Sequence, residues 1–238
     1  MGYICPRFKT RYTPCMKRFA TLFLVLAAAT GAGAQKVNSN NPVNSDPEAK
    51  KILDAVSTKF RTFTSPSAAF TYRIENAQGK ALTTKKGTVV MKGTKYHVTI
   101  PGMELYSDGK TSWSLDKSAN EVTVKDVDAA TGEITPQRLF TNFYDKDFLY
   151  KLNGEKKEGG KTLLEIELTP TNKTRPYHKV YLWIDKSSKV FHSARILNKD
   201  GNRYSYSINS FNASTKAADS EFVFNAKRFP GVEVVDLR

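Results

Sequence analysis

The residues of this 238-residue chain that could do chemistry are few and scattered. His97, His178 and His192 lie far apart and show no metal-ligand spacing such as His-x-x-x-His. Glu165 and Glu167 would share one face of a strand, roughly 7 Å apart, which could suit glycoside hydrolysis but is more typical of a solvated outer face. The sequence contains no G-x-S-x-G elbow and no phosphate-binding glycine loop. We therefore expect no catalytic residue, no metal and no cofactor.

The stretch Ser107-Asp108-Gly109-Lys110 is the densest group of reactive side chains, and it has two interpretations. A calcium loop needs several oxygen ligands, and only Asp108 and Asp116 are close together here. Asp-Gly is a favoured pair for a hairpin turn, and the Asp side chain can accept hydrogen bonds from local backbone. The spacing therefore favours a turn between two strands.

The first residues have the composition of a secretory signal peptide. Lys17 and Arg18 precede a short apolar run that ends in Ala32-Gly33-Ala34, a small-x-small cleavage pattern. The run is shorter than the ~20 residues that a membrane-spanning helix needs. We predict a signal peptide over residues 1–34, with Met16 as an alternative start, followed by a disordered polar leader over 35–45. Residues 46–238 would then form a single domain.

Removal of the signal peptide changes the cysteine count and the charge of the mature chain. Both cysteines, Cys5 and Cys15, precede the predicted cleavage site, so the mature chain would have no disulfide and no lipid anchor on a cysteine. Five of the basic residues are also removed, which lowers the net charge from +14 to about +9. A basic surface suits anionic partners such as lipid headgroups, although it is also compatible with an ordinary soluble surface. No nucleic-acid-binding motif is present, and we expect a soluble monomer.

Two helical segments and many short strands are predicted. Asp46 or Ser45 would cap a helix that starts at Pro47, with an apolar stripe that runs to Phe63. After Pro66 apolar residues alternate with polar ones in short runs separated by tight turns, a pattern typical of an antiparallel meander. A second helical segment, 135–148, interrupts the strands and carries an aromatic edge. The alternation leaves a large apolar sheet face, which a curled sheet could enclose.

Several segments resemble one known family. The opening helix ends in "VSTKFRTFTSPSAAFTYRI"; "GTVVMKG", "LYSDGKTSWSLDKSANEVTV" and "TPQRLF" follow; and the chain closes with "SEFVFNAKRFPGVEVV". Their order and spacing are similar to those of the periplasmic outer-membrane lipoprotein carrier proteins, the LolA family, from about Asp46 to Val235. One departure is Gly93, where family members often have an Arg that helps to hold the lid closed.

The resemblance implies a mainly β fold with a few helices: a curled, incompletely closed antiparallel β-barrel with a helical lid around an apolar cavity. It implies a soluble periplasmic carrier that binds acyl chains of lipoproteins, or another lipid, and moves them from inner to outer membrane. Its partners would be an inner-membrane release complex and an outer-membrane acceptor. A non-transport lipid- or protein-binding sensor on the same barrel is the alternative, and from the residues alone a solid core is the simplest interpretation.

The candidate ligand-binding residues follow from the alternation and the aromatic edge. Four of them would line the apolar cavity and three would form its movable cover: Tyr72, Met91, Val98 and Trp113 in the wall, and Leu139, Phe140 and Phe143 in the lid.

Overall fold

The computed structural model describes residues 45–127 and 144–238. The predicted signal peptide, nearly all of the predicted leader and the three predicted lid residues Leu139, Phe140 and Phe143 lie outside the described residues. The predicted domain boundaries therefore stay predictions.

The first described helix, α1, spans Pro47–Arg61, as the capping pattern predicted. The Asp46 side chain accepts hydrogen bonds from the backbone N–H groups of Glu48 and Ala49, at 2.8 and 3.4 Å. These bonds satisfy donors that the first helical turn leaves without partners. The predicted apolar stripe continues to Phe63, which lies just beyond the C-cap residue Thr62. A second helix, α2, is one turn long and spans Tyr144–Asp147.

The strands form one sheet. In chain order they are β1 Ser67–Glu75, β2 Ala81–Lys92, β3 Lys95–Ile100, β4 Met103–Ser107, β5 Thr111–Asp116, β6 Glu121–Asp126, β7 Phe148–Glu158, β8 Lys161–Pro170, β9 Tyr177–Asp185, β10 Phe191–Asn198, β11 Arg203–Asn212 and β12 Glu233–Asp236. Their spatial order is β12-β6-β5-β4-β3-β2-β1-β11-β10-β9-β8-β7. Within the described residues β12 and β7 form the two edges, so the sheet does not close on itself. The predicted mainly β, incompletely closed fold is confirmed.

The meander is antiparallel except at one edge. Successive hairpins pair β1 to β6 and β7 to β11, and β1 pairs with β11 to join the two runs. The last strand, β12, pairs with β6 in parallel, which the sequence did not indicate. Strands β7 and β10 were also missed, because their alternation is weak: β10 buries only Ala194 and Ile196.

Strand register divides the apolar residues between two faces of the sheet. The inner face carries α1, and it includes Leu182, Tyr206 and Val98. On β3 and β4 the inner face is still apolar, since Val98 pairs with Leu105. Across the sheet from β4 to β5, Leu105 in turn pairs with Ser114, so the inner face becomes polar at β5.

The opposite, outer face has a small core of its own over β4 to β6. Tyr106, Leu115, Val122 and Val124 are all less than 5% exposed on this face. The C-terminal segment supplies aromatic residues that bury this face: Phe222 is fully buried, and Phe224 makes an edge contact with Tyr106 at 5.9 Å. The expectation that every strand turns its apolar side toward one cavity is therefore wrong for β5 and β6. The chain's own C-terminal segment covers the other side.

Candidate ligand-binding site

One half of the inner face is closed by α1. Ala49, Leu53 and Val56 of this helix are at most 2% exposed and belong to one cluster with apolar residues of β7 to β10. The start of the helix is fixed to the sheet edge, because Asp46 accepts a hydrogen bond from Leu152 N and donates its backbone N–H to Tyr150 O. This half is a packed core that leaves little room for a ligand.

The other half of the inner face, over β1 to β4 and β11, is more open. Its central residues are buried, but several large apolar side chains packed against them keep accessible surface. We call these residues the open half: Tyr72, Met103, Leu105, Tyr206, Ile208 and Phe211. Partly accessible apolar side chains on a sheet face that also carries buried ones are what a binding cavity needs.

Tyrosine rings lie where the two halves meet. Tyr72 lies 5.1 Å from Tyr206 and 6.3 Å from Tyr204, measured between ring centroids. Burial, with added effects from Tyr72 and Tyr204, raises the pKa of the Tyr206 hydroxyl well above its usual range. The side chain nevertheless keeps accessible surface. The three rings therefore form one aromatic group between the two halves of the inner face.

The predicted wall residues do not all lie together. Met91 and Val98 are buried on the inner face, and Tyr72 is partly accessible on the same face. Trp113 pairs with Tyr106 and is therefore on the outer face. The prediction grouped Trp113 with the others because alternation reveals which residues share a face but not which face is the inner one. Whether the first three contact a ligand stays a prediction.

Gly93 occupies the turn between β2 and β3. Its φ is +57°, and an added Cβ would meet no atom within 4 Å. The glycine suits the backbone of the tight hairpin that joins Lys92 and Lys95. The position is thus a turn residue in this chain.

The sequence singled out two further groups, and both have structural partners. Asp108 Oδ1 accepts hydrogen bonds from the N–H groups of Lys110 and Thr111, both at 2.8 Å, which confirms the turn interpretation. Glu165 and Glu167 lie on the outer face, where both accept hydrogen bonds from Asn153.

A buried polar cluster lies on the outer face of β3 and β4. The Glu104 carboxylate receives hydrogen bonds from the Tyr106 hydroxyl and from His97 Nε2, and it forms an ion pair with Lys117 at 2.5 Å. Burial alone would raise the pKa of Glu104, but the hydrogen bonds from Lys117, Tyr106 and His97 outweigh it and lower the pKa to about 2. The His97 ring stacks on Tyr106 at 4.2 Å.

The described residues contain neither a metal-ligand cluster nor a membrane-spanning helix. Among residues 45–127 and 144–238, no three His, Cys, Asp or Glu side chains converge as metal ligands would. No helix in these ranges combines the length and the apolar character that crossing a membrane requires.

Comparison with known proteins identifies relatives of this chain. Residues 61–225 match the family model described as outer membrane lipoprotein carrier protein LolA. An outer-membrane lipoprotein carrier protein of Serratia proteamaculans is 29% identical over 176 residues, which cover 72% of this chain and 81% of that protein. A protein of the same name from Cupriavidus necator is 32% identical over 111 residues, 44% of this chain and 51% of the relative.

A solved structure shares the fold. It is an uncharacterized conserved protein from Thermus thermophilus, with a TM-score of 0.55 at 12% identity, and the match covers 79% of this chain and 99% of that one. At this identity the likeness shows the fold alone. The family model covers more than half of the chain, and the inner face, open half and incompletely closed sheet described above lie largely within it. The chain belongs to the LolA outer membrane lipoprotein carrier protein family.

Proposed function

We propose that this protein is a soluble periplasmic carrier that takes up the acyl chains of lipoproteins, or of another lipid, in a cavity over the open half of its inner face. It would be exported by the signal peptide over residues 1–34 and would move its cargo from inner to outer membrane. An inner-membrane release complex would supply the cargo and an outer-membrane acceptor would receive it. Its activity is binding and transfer and includes no catalytic step.

The observation that carries this proposal is the contrast between the two halves of the inner face. Three apolar residues of α1 are at most 2% exposed over β7 to β10, whereas over β1 to β4 and β11, where the helix contributes Phe60, large apolar side chains remain partly accessible. The packed half also has partly accessible apolar residues, but α1 covers the sheet there with fully buried side chains. Family membership supports the same function, because the named relatives are lipoprotein carriers.

The energetics of such a site are sufficient without charge pairing. Burial of one methylene contributes about 0.8 kcal/mol, so ten methylenes would contribute roughly 8 kcal/mol before the costs of ordering and of opening the site. An acceptor with a somewhat better apolar site could then remove the cargo. Leu139, Phe140 and Phe143 are proposed to form the cover of this cavity.

Binding of a fluorescent fatty-acyl probe to lipid-stripped protein tests the proposal. Leu105→Gln, on the open half, should weaken probe binding because it places an amide against the acyl chain. Trp113→Gln is the matched control, since it removes a partly accessible side chain from the outer face of the neighbouring strand. Phe140→Ser with Phe143→Ser should also weaken binding while the circular dichroism spectrum stays β-rich. A stripped wild-type protein that never binds the probe would contradict the carrier proposal.

A further inference from the structure

The pairing between strands β10 and β11 stops before either strand ends. Their ladder begins at Leu197 opposite Arg203 and stops at Ser193 opposite Ser207. Beyond this point the chain from Ile208 to Asn212 pairs with β1, whereas Phe191 pairs with β9. The sheet therefore has a split in its wall between two strands that are paired elsewhere.

A β-bulge in each of the two strands explains the split. In β10 the register against β9 shifts between Phe191 and Ser193, which makes His192 the extra residue. In β11 Ser210 lies opposite Ala69 and Ile208 lies opposite Phe70, which makes Asn209 the extra residue. A bulge bends its strand and increases the local twist, and bulges are frequent beside functional sites. Two bulges face to face bend the strands apart.

The split holds a pocket of about 240 Å³ that is lined by residues of both sheet faces. We call it the side slot. It is lined by apolar residues, of which Phe191, Ile208 and Phe211 pack on the inner face, and by polar residues: Val190, Phe191, Ile208 and Phe211, and Lys161, Asp185, Ser188, His192, Asn209 and Ser210. Ile208 and Phe211 are also part of the open half. The side slot therefore places apolar inner-face residues next to a polar rim.

Two basic side chains at the rim have only weak partners. Lys161 Nζ lies 3.5 Å from Asp185 Oδ2, and its side chain is 53% exposed. The other oxygen of this carboxylate, Asp185 Oδ1, accepts hydrogen bonds from Ser187 N, Ser187 Oγ and Ser188 N. His192 Nε2 lies 3.9 Å from Glu158 Oε1, which is too long for a hydrogen bond. His192 can turn toward an anion in the slot without breaking a hydrogen bond, and Lys161 can bind an anion while it stays beside Asp185, because an ammonium group has three donors.

We propose that the side slot is the binding site for the anionic head group of an amphiphile. The head group is a carboxylate or a phosphate, and the apolar tail of the ligand lies on the open half. This inference rests on the proposed carrier function and adds the class of ligand: a negatively charged amphiphile. Lys161 and His192 would donate hydrogen bonds to the anion, and the amide of Asn209, which donates a hydrogen bond to Thr71 Oγ1 at 3.0 Å, would lie beside it. The inner residues of the slot would contact the first methylenes of the chain.

Matched probes with one acyl chain and three head groups test the inference. The probes are a fluorescent fatty acid, its methyl ester and an alkyl phosphate of the same chain length. The protein should bind at least one anion more tightly than the ester. Lys161→Gln with His192→Gln should lower that affinity roughly tenfold, a loss of about 1.4 kcal/mol, and should leave ester binding unchanged. Lys125→Gln, an exposed strand lysine on β6, is the control for loss of one positive charge.

The outcomes separate this inference from the function on which it rests. The anion that loses affinity in the double variant identifies the head group, and unchanged ester binding shows that this variant is folded. Equal binding of all three probes would contradict the proposal that the side slot binds an anionic head group. An anion preference that persists in the double variant would also contradict it. Neither result would contradict the proposed carrier function. If the protein binds none of the probes, the carrier function fails and the inference fails with it.

Discussion

A single carboxylate joins the start of α1 to the edge of the sheet, and its replacement should separate two contributions to stability. Asp46 Oδ1 accepts hydrogen bonds from Glu48 N and Ala49 N, and Oδ2 accepts one from Leu152 N at 3.0 Å. Asp46→Ala removes all three. Asp46→Asn keeps a carbonyl oxygen for the helix but turns an NH₂ group toward the N–H of Leu152. Asn can therefore replace the cap and cannot replace the contact with β7.

The expected losses follow from the types of bond. Loss of an N-cap side chain costs about 1 kcal/mol. A part-buried N–H that loses its acceptor costs about 1 to 3 kcal/mol more. The free energy of unfolding should therefore fall by about 2 to 4 kcal/mol in Asp46→Ala and by about 1 to 3 kcal/mol in Asp46→Asn.

The pH dependence gives a second test of Asp46. The bond from Leu152 N is the largest cause that lowers the pKa of this carboxyl below its usual 3.8. A lowered folded-state pKa gives stability that is present above the unfolded-state pKa and is lost as the pH falls through the folded-state value. The difference in stability between wild type and Asp46→Asn should therefore be constant near pH 7 and should shrink below about pH 4.

Urea unfolding followed by circular dichroism measures these differences. Glu48→Gln is a suitable control, because it changes an exposed neighbouring acid in the same turn while the Asp46 bonds remain. Equal stability of Asp46→Asn and wild type would show that the bond to Leu152 contributes nothing. Wild-type stability in Asp46→Ala would refute the whole argument, including the view that the N-cap residue helps to hold α1 on the sheet.

Three further substitutions test the outer core, a turn and the buried acid. In urea titrations, Phe222→Ala should lower the free energy of unfolding by about 3 to 5 kcal/mol, because the ring is fully buried. The control is Val223→Ala: the native Val223 is 41% exposed, so the change should be less than about 1 kcal/mol. Gly109→Ala should destabilise more than Gly159→Ala in thermal melts, since both have positive φ but only at Gly109 would a Cβ meet Thr94 Oγ1, at 2.3 Å. Glu104→Gln should flatten the pH profile of stability between pH 4.5 and 2. The lowered pKa of Glu104 in the folded state stabilises the protein above pH 4.5, and this contribution is lost as the pH falls toward 2. An unchanged profile would show that this carboxylate does not cause the loss of stability at low pH.

Local signals in the sequence predicted local structure well. Asp46, Pro47 and the apolar spacing after them placed the start of α1 at the observed residue, because a cap is decided within one helical turn. Asp108-Gly109 placed a hairpin turn for the same reason. Such features depend on neighbours in the chain, so a single sequence contains the information.

The assignment of faces and of the binding site depended on distant residues. Trp113 and Leu115 alternate with serines, but their side of β5 belongs to the outer face, which the distant C-terminal segment covers through contacts such as that of Phe224 with Tyr106. The side slot was also missed, because His192 and Asn209 are ordinary strand residues until the register of both neighbouring strands is known. Closer attention to the polar residues that interrupt the alternation of β10 and β11 could have indicated the bulges.

The ladder between β1 and β11 has a consequence for how the chain reaches its native state. It joins the two hairpin runs through contacts between distant parts of the chain; at its end the hydroxyls of Ser67 and Thr215 lie 2.7 Å apart although 148 residues separate them. Contacts of such long sequence separation are slow to form, because loop closure costs entropy before the contacts contribute. Until β11 has emerged, β1 and β10 each present an open edge and the inner face has only part of its wall. A chain built in this order completes its inner face only after β11 is available, when nearly all of the chain has been synthesised.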